Sequence, residues 1–195
     1  MNEEIGLEVR SRRAARVFLI SEEGTVLLFR GGDPGRPQAG TWWFTPGGGI
    51  DPGESTESAA RRELKEETGL AVARIGPVVL RRHVEHELEG VRYAQEEEFF
   101  AVRCSRFELS QAGWTATERR VVVEYRWWTQ AELCQSQAMI YPSDLAAVLE
   151  LLQGPGPGAN PAVVGRGSPP SGSRDRKRSG GAGESWPGRR PARLV

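Results

Sequence analysis

Residues 48–70 read GGIDPGESTESAARRELKEETGL, and they place Glu63, Glu66 and Glu67 at offsets of zero, three and four. At about 100° per residue a helix gathers such carboxylates into one stripe about 100° wide. Like charges at that spacing repel and weaken a helix by roughly a few tenths of a kcal/mol per pair, so the stripe calls for a use. An acidic helix face turned to water has the same pattern, and the surroundings decide between the two readings. Pro46 and Gly47 to Gly49 precede the helix, giving a rigid entry and then backbone positions free to approach a ligand closely. Ser55 or Thr56 offers an N-cap, Ala59 and Ala60 lie one turn before the carboxylates, Leu64 is left for a core, and Gly69 suits the helix end. A loop, a capped helix and an anionic stripe flanked by small residues make a pocket for hard cations, which take oxygen ligands.

These 23 residues resemble the signature of the Nudix hydrolases at all nine specified positions: Gly48, Glu54, Arg62-Glu63-Leu64, Glu66-Glu67 and Gly69-Leu70, at the family's spacing. Weaker similarity to the MutT-like members extends over about the first 150 residues. The resemblance implies an α/β architecture, the Nudix fold, in which an α/β/α sandwich surrounds a mixed central sheet. It implies metal binding by Glu63, Glu66 and Glu67, with the carbonyl of Gly48 as a further ligand, and a catalytic part for Glu67 and Arg62. Arg62 and Glu54 match positions that support the helix and its glutamates, and Gly69 closes it. The implied cofactor is Mg²⁺, with Mn²⁺ as an alternative.

The chemistry follows from charge. A diphosphate linkage resists water because its anionic oxygens repel a nucleophile, and carboxylate-bridged divalent cations both neutralise it and lower the pKa of an attacking water. The expectation is a Mg²⁺-dependent hydrolase cutting a small nucleoside diphosphate linked to another group. The alternative is a nucleotide-binding Nudix sensor or scaffold without turnover, which would typically lack one of the glutamates. An isomerase on the same fold would need a catalytic cysteine, and Cys104 and Cys134 have no such context. The family's proline marker for ADP-ribose and tyrosine marker for dinucleoside polyphosphates are not found: Glu85, His86, Glu87 and Leu88 stand there. The substrate is therefore left open within its class.

The chain has 195 residues, enough for one domain with an appendage. Its 26 basic and 26 acidic residues are unevenly spread. Residues 154–195 hold eight Arg or Lys against two acids, leaving 18 against 24 elsewhere. We expect a Nudix domain over 1–153 and a disordered Gly/Pro/Ser/Arg-rich basic tail over 154–195, too poor in large apolar residues to offset its ordering entropy. An acidic domain argues against nucleic-acid binding except weakly through the tail. Two cysteines without ligand spacing, no spanning apolar run and no leader-like N-terminus indicate a soluble, cytoplasmic protein; a homodimer is left open.

Along the chain, Arg13–Ile20 and Thr25–Arg30 predict a hairpin, and Trp42–Thr45 a short strand leading to the glycine loop. Neighbouring tryptophans in a strand face opposite ways, so one enters the core and the other is available to a cleft. Trp43, Arg30 and Glu98 are the candidate substrate contacts. Residues 71–82 and 91–103 predict two strands around a charged turn over 83–90, with Glu96 to Glu98 at a strand entrance. His83 and His86, three apart in a strand, point to opposite faces and do not form a metal site. Residues 105–117 read as a polar loop, 120–128 as a strand, Thr129-Gln130-Ala131-Glu132 as a capping box, and 144–152 as a last helix. Once metal occupies the helix glutamates, the attacking water needs a proton acceptor from outside the helix. Glu96 to Glu98 and Glu118 offer one, and the resemblance favours Glu118, on a loop ahead of Trp127-Trp128-Thr129.

Overall fold

The protein is described by a computed structural model over residues 9–88 and 90–154. The long first strand β1 (Val9–Ser21) turns at Gly24, φ 79°, into β2 (Val26–Gly31), as the apolar runs on either side of a turn predict. Then come β3 (Trp42–Phe44), β4 (Gly47–Gly49), α1 (Thr56–Thr68), β5 (Val78–Leu88) and β6 (Val91–Cys104). The chain continues through α2 (Ala116–Val121), β7 (Val122–Trp128), α3 (Gln130–Gln135), β8 (Ile140–Tyr141) and α4 (Leu145–Gln153).

The strands form one mixed sheet in the order β5-β6-β1-β2-β3-β8, with β4 added on β1 and β7 on β2. β1 pairs with β6, and β3 with β8, in parallel; the other pairs are antiparallel. Because side chains alternate across the pleat, β1 sends Ala15, Val17 and Leu19 to one face and Phe18 and Ile20 to the other, both sets fully buried. The first face packs on Ala59, Ala60 and Leu64 of α1. The second packs on Leu133 of α3 and Leu145, Val148 and Leu149 of α4. Two apolar faces on one sheet require two covers, and the helices supply them, giving the expected α/β/α layering. No helix among the described residues is long and apolar enough to cross a membrane.

Several local expectations need correction. The run Gly47–Gly49, read as a loop, is a strand paired with Ala14–Arg16. A Cβ on Gly47, whose φ is 129°, would lie 2.2 Å from the Ala15 carbonyl oxygen, so only glycine lets the two backbones come this close. The second hairpin starts later and turns later than expected. β5 begins at Val78, not near residue 71, and runs to Leu88 in register with β6, pairing His83 with Glu96 and His86 with Tyr93. The charges at 83–88 belong to a strand, and Gly90 is in a turn. Glu96 to Glu98 accordingly stand in mid-strand, not at an entrance. Residues 105–117 include a 3-10 turn (Gln111–Gly113) and the buried Trp114, and Glu118 is on α2, not on a loop. The short strand β8 has no counterpart in the sequence reading. α4 ends at Gln153, and from residue 155 the expected basic tail lies outside the described residues.

Candidate active site

The carboxylates are placed by how α1 is started, buried and stopped. Ser55 caps its N-terminus, its Oγ accepting the Ser58 N–H at 3.1 Å. Gly69, in the left-handed conformation at φ 81°, ends it. Between them Leu64 is fully buried, which stabilises by about 1.5–3 kcal/mol and fixes the helix's rotation about its axis. That rotation turns Glu63 and Glu67, one turn apart, toward the glycine strand. Both are buried, 8% and 7% exposed. Glu67 Oε2 accepts the Gly47 N–H at 2.6 Å, and a Cβ on Gly48 would come within 2.5 Å of Glu63 Oε1. Glycine at 48 is thus required by the Glu63 carboxylate itself.

Glu66, the third acid of the stripe, is in different surroundings. Its side chain is 43% exposed, and it accepts from Arg62 Nη1 at 3.2 Å. Arg62 is the hub on this side. It donates to Glu54 Oε1 at 3.1 Å and Oε2 at 2.9 Å, to Glu63 at 2.8 Å and to the Gly49 carbonyl at 3.0 Å. The bond from Arg62 holds the Glu54 carboxyl below the usual carboxylate range, and the same bond is the first reason the guanidinium holds its proton more firmly than usual.

Glu118 reaches the site from outside α1. Thr115 and Glu118 form a reciprocal capping box at the start of α2, with Glu118 Oε2 accepting the Thr115 N–H at 2.5 Å. Just upstream, Trp114 (8% exposed) donates its indole N–H to the Glu67 carbonyl at 2.7 Å and meets the Phe29 ring edge-on at 5.9 Å. A Cβ on Gly113 would lie 2.5 Å from the Glu66 carbonyl oxygen, so this segment lies flat on the last turns of α1. As a result one carboxylate oxygen from each of Glu63, Glu67 and Glu118 falls within 4.8 Å of the others.

Three anionic groups in a half-enclosed space repel one another. Burial raises the Glu63 carboxyl above its ordinary pKa against the opposing bond and charge of Arg62; burial and the neighbouring Glu63 charge push Glu67 well above it. An all-oxygen, carboxylate-rich donor set of this kind fits a hard divalent cation such as Mg²⁺ or Mn²⁺.

The sequence reading missed the far side of the glycine strand. Arg16 interrupts the apolar run of β1, and its Nη1 donates to the Gly47 carbonyl at 2.8 Å while its Nε donates to Glu97 at 3.2 Å. Glu97, 1% exposed, also accepts from Gln95 Nε2 at 2.8 Å and from the Tyr141 hydroxyl. Burial opposes the Arg16 charge, but Glu97 and the other nearby acids outweigh it. A charged residue inside an apolar run was the available signal for Arg16, and a tryptophan inside a polar stretch was the signal for Trp114.

The candidate substrate contacts are not brought together. Trp43, 7% exposed, packs edge-on against Trp128 at 5.0 Å, with Arg30 over its ring at 5.8 Å, and belongs to the core under α3 and α4. Arg30 pairs with Glu124 at 2.8 Å. Glu98 is on the α1 face, bonded to Thr56 and to Arg81 at 2.8 Å; burial opposes its charge, but these bonds hold its carboxyl below the usual range. His83 contacts Glu96 at 2.7 Å and His86 stacks on Tyr93, so the two imidazoles have separate partners.

Comparison with known proteins bears on the family and the fold. An RNA pyrophosphohydrolase of Erythrobacter litoralis is 38% identical over 107 residues, covering 49% of this chain and 63% of that protein. An RNA pyrophosphohydrolase of Bradyrhizobium diazoefficiens is 36% identical over 102 residues, covering 47% and 60%. The chain thus spans less than two thirds of the length of these curated relatives. A MutT protein structure from Methanosarcina mazei Go1 superposes with a TM-score of 0.51 at 22% identity, over 75% of this chain and 95% of that one, and shares the fold. The family model of the NUDIX domain matches residues 10–151, and the chain belongs to that family.

Proposed function

We propose that the protein is a divalent-metal-dependent pyrophosphohydrolase that cuts the diphosphate linkage of a nucleoside diphosphate joined to another group, by attack of water on phosphorus. The observation that carries this reading is the convergence of Glu63, Glu67 and Glu118 within 4.8 Å beside a glycine strand. The names of the two relatives support the same class of bond, since both are pyrophosphohydrolases.

In this reading Glu63 and Glu67 hold the cation, with Glu66 as a further ligand once Arg62 releases it. A bound Mg²⁺ or Mn²⁺ supplies charge neutralisation of the phosphate oxygens and a lowered pKa for the attacking water. The chain's own residues do the rest. The Gly47 N–H fixes one oxygen of Glu67. Arg62 keeps Glu54 and Glu63 in place on the strand side. Glu118, half-buried and with one oxygen tied to Thr115, takes the proton of the water with its other oxygen.

The test is hydrolysis of a panel of nucleoside diphosphate derivatives and nucleoside triphosphates by purified protein with Mg²⁺, with products identified by mass. Cleavage at a phosphoanhydride that stops when Mg²⁺ is chelated is the expected result. Tight nucleotide binding with no cleavage of any member would favour the sensor reading instead.

A further inference from the structure

Behind the acidic cluster a continuous set of hydrogen bonds crosses the sheet. It starts at Glu97, passes through the Arg16 guanidinium to the Gly47 carbonyl, and resumes at the Gly47 N–H, which donates to Glu67. We propose that Arg16 is a positioning residue for the metal-binding Glu67 carboxylate, acting through the backbone of Gly47. The inference rests on the reading of Glu67 as a metal ligand and adds what holds that ligand in place.

The geometry gives Arg16 this part for three reasons. First, Gly47 has the backbone freedom that most needs an external constraint: at φ 129° it occupies a region that side-chain-bearing residues rarely enter, and glycine alone does not hold it there. Second, the two peptides that flank Gly47 are held by different groups. The Pro46 carbonyl accepts the Val17 N–H at 2.9 Å, an ordinary backbone bond. The Gly47 carbonyl accepts from the Arg16 side chain at 2.8 Å. Third, Arg16 is itself held. Glu97 fixes Nε, and Glu97 is in turn bonded by Gln95 and Tyr141, so the guanidinium fork has one orientation. Arg16 also stands directly opposite Gly47 in the register of β1 and β4. The Gly47 N–H lies in one rigid plane with the Pro46 carbonyl, which Val17 holds, and Arg16 holds the plane on the other side of Gly47, so the two bonds together fix both torsions of Gly47 and keep its N–H on Glu67 Oε2. This is how bonds to the outer side of a ligand tune a metal site.

The experiment compares wild type with Arg16→Met, Arg16→Lys and the double variant Arg16→Met/Glu97→Gln. The double variant removes both members of the buried pair together and keeps an acceptor for Tyr141, so it stays folded where the single Met variant leaves a buried charge unpaired. Three quantities are read: Mn²⁺ affinity without substrate by electron paramagnetic resonance, kcat and KM, and melting temperature without metal. We expect the double variant to bind Mn²⁺ at least about tenfold more weakly and to lose about tenfold or more in kcat at saturating metal, with KM changed by less than about threefold. Arg16→Lys keeps a donor for the Gly47 carbonyl and should recover most of the Mn²⁺ affinity. A double variant with wild-type Mn²⁺ affinity and kcat, whatever its melting temperature, would overturn the inference and leave the proposed function standing. A wild-type protein that binds no Mn²⁺ would remove the metal reading and this inference with it.

Discussion

Glu67 and Glu118 arrive at the same cluster by opposite routes. Glu67 is carried by a 13-residue helix whose cap, buried leucine and terminal glycine are all contiguous in sequence. Glu118 is carried by a six-residue helix that has no buried residue of its own and depends on Trp114 for its placement. A long amphipathic helix orients its side chains by burying a face, whereas a short one needs a tertiary anchor. The helix region is thus the half of the site placed by its own sequence, and the 110–118 segment is the half placed by its contacts with the last turn of α1.

The largest expected effect tests the helix half. Glu67→Gln keeps the shape and the acceptor for the Gly47 N–H but removes a ligand charge, and turnover should fall at least about a thousandfold, corresponding to roughly 4 kcal/mol of transition-state stabilisation. Wild-type turnover by this variant at saturating Mg²⁺ would erase the distinction between the two regions. The next effect tests the half placed by contacts. Glu118→Gln should lose about a hundredfold in kcat, and its pH–rate profile should lose the acidic limb while KM changes little. An unaltered profile would take Glu118 out of the reaction and leave it as a helix cap.

The anchor gives a smaller effect. Trp114→Phe retains an aromatic ring against Phe29 but leaves the Glu67 carbonyl without its indole donor, at a cost of about 1 kcal/mol in stability. Steady-state kinetics should show kcat down by about tenfold with KM within about twofold. A kcat equal to wild type would mean that the Thr115 capping box alone holds Glu118.

The smallest effect is a pH dependence of stability. Folding raises the pKa of the Glu63 and Glu67 carboxyls, so between the ordinary carboxylate range and those raised values the folded state binds more protons than the unfolded one. Metal-free stability therefore falls as pH rises through that window, while below it both states are protonated and nothing is lost. Glu54 and Glu98 shift the other way, so the effect is read as the difference between wild type and Glu67→Gln in calorimetric scans across pH. Mg²⁺ competes with those protons and should raise the melting temperature more at about pH 8 than at about pH 5.5. A difference that grows more favourable to wild type with rising pH in metal-free protein would contradict the burial of these acids.

Legibility in the sequence followed the same division. The signature helix was readable because its cap, its carboxylates, its buried leucine and its terminal glycine all lie within residues 55–69. The hairpin of β1 and β2 and the capping box at Thr129 were readable for the same reason. The strand β4 was not, because a triple glycine has no side-chain pattern and its pairing with β1 is a long-range event. The extent of β5 was misjudged because alternating charged residues on its outer side look like a turn until Leu80, Arg82 and Val84 are seen buried on the inner one. Arg16, Glu97 and Tyr141 come from three distant strands, and no local spacing links them. Trp43 has the composition of a ligand-stacking residue, yet the sheet turns it to the core.

The most direct test of the central claim is a crystal grown with Mn²⁺ and measured for anomalous scattering. The account predicts a peak bounded by the carboxylates of Glu63 and Glu67, on the side from which Glu118 enters, with the Gly47 N–H still on Glu67. A saturating Mn²⁺ concentration that gives no peak there, or a peak on another face of the protein, would contradict it.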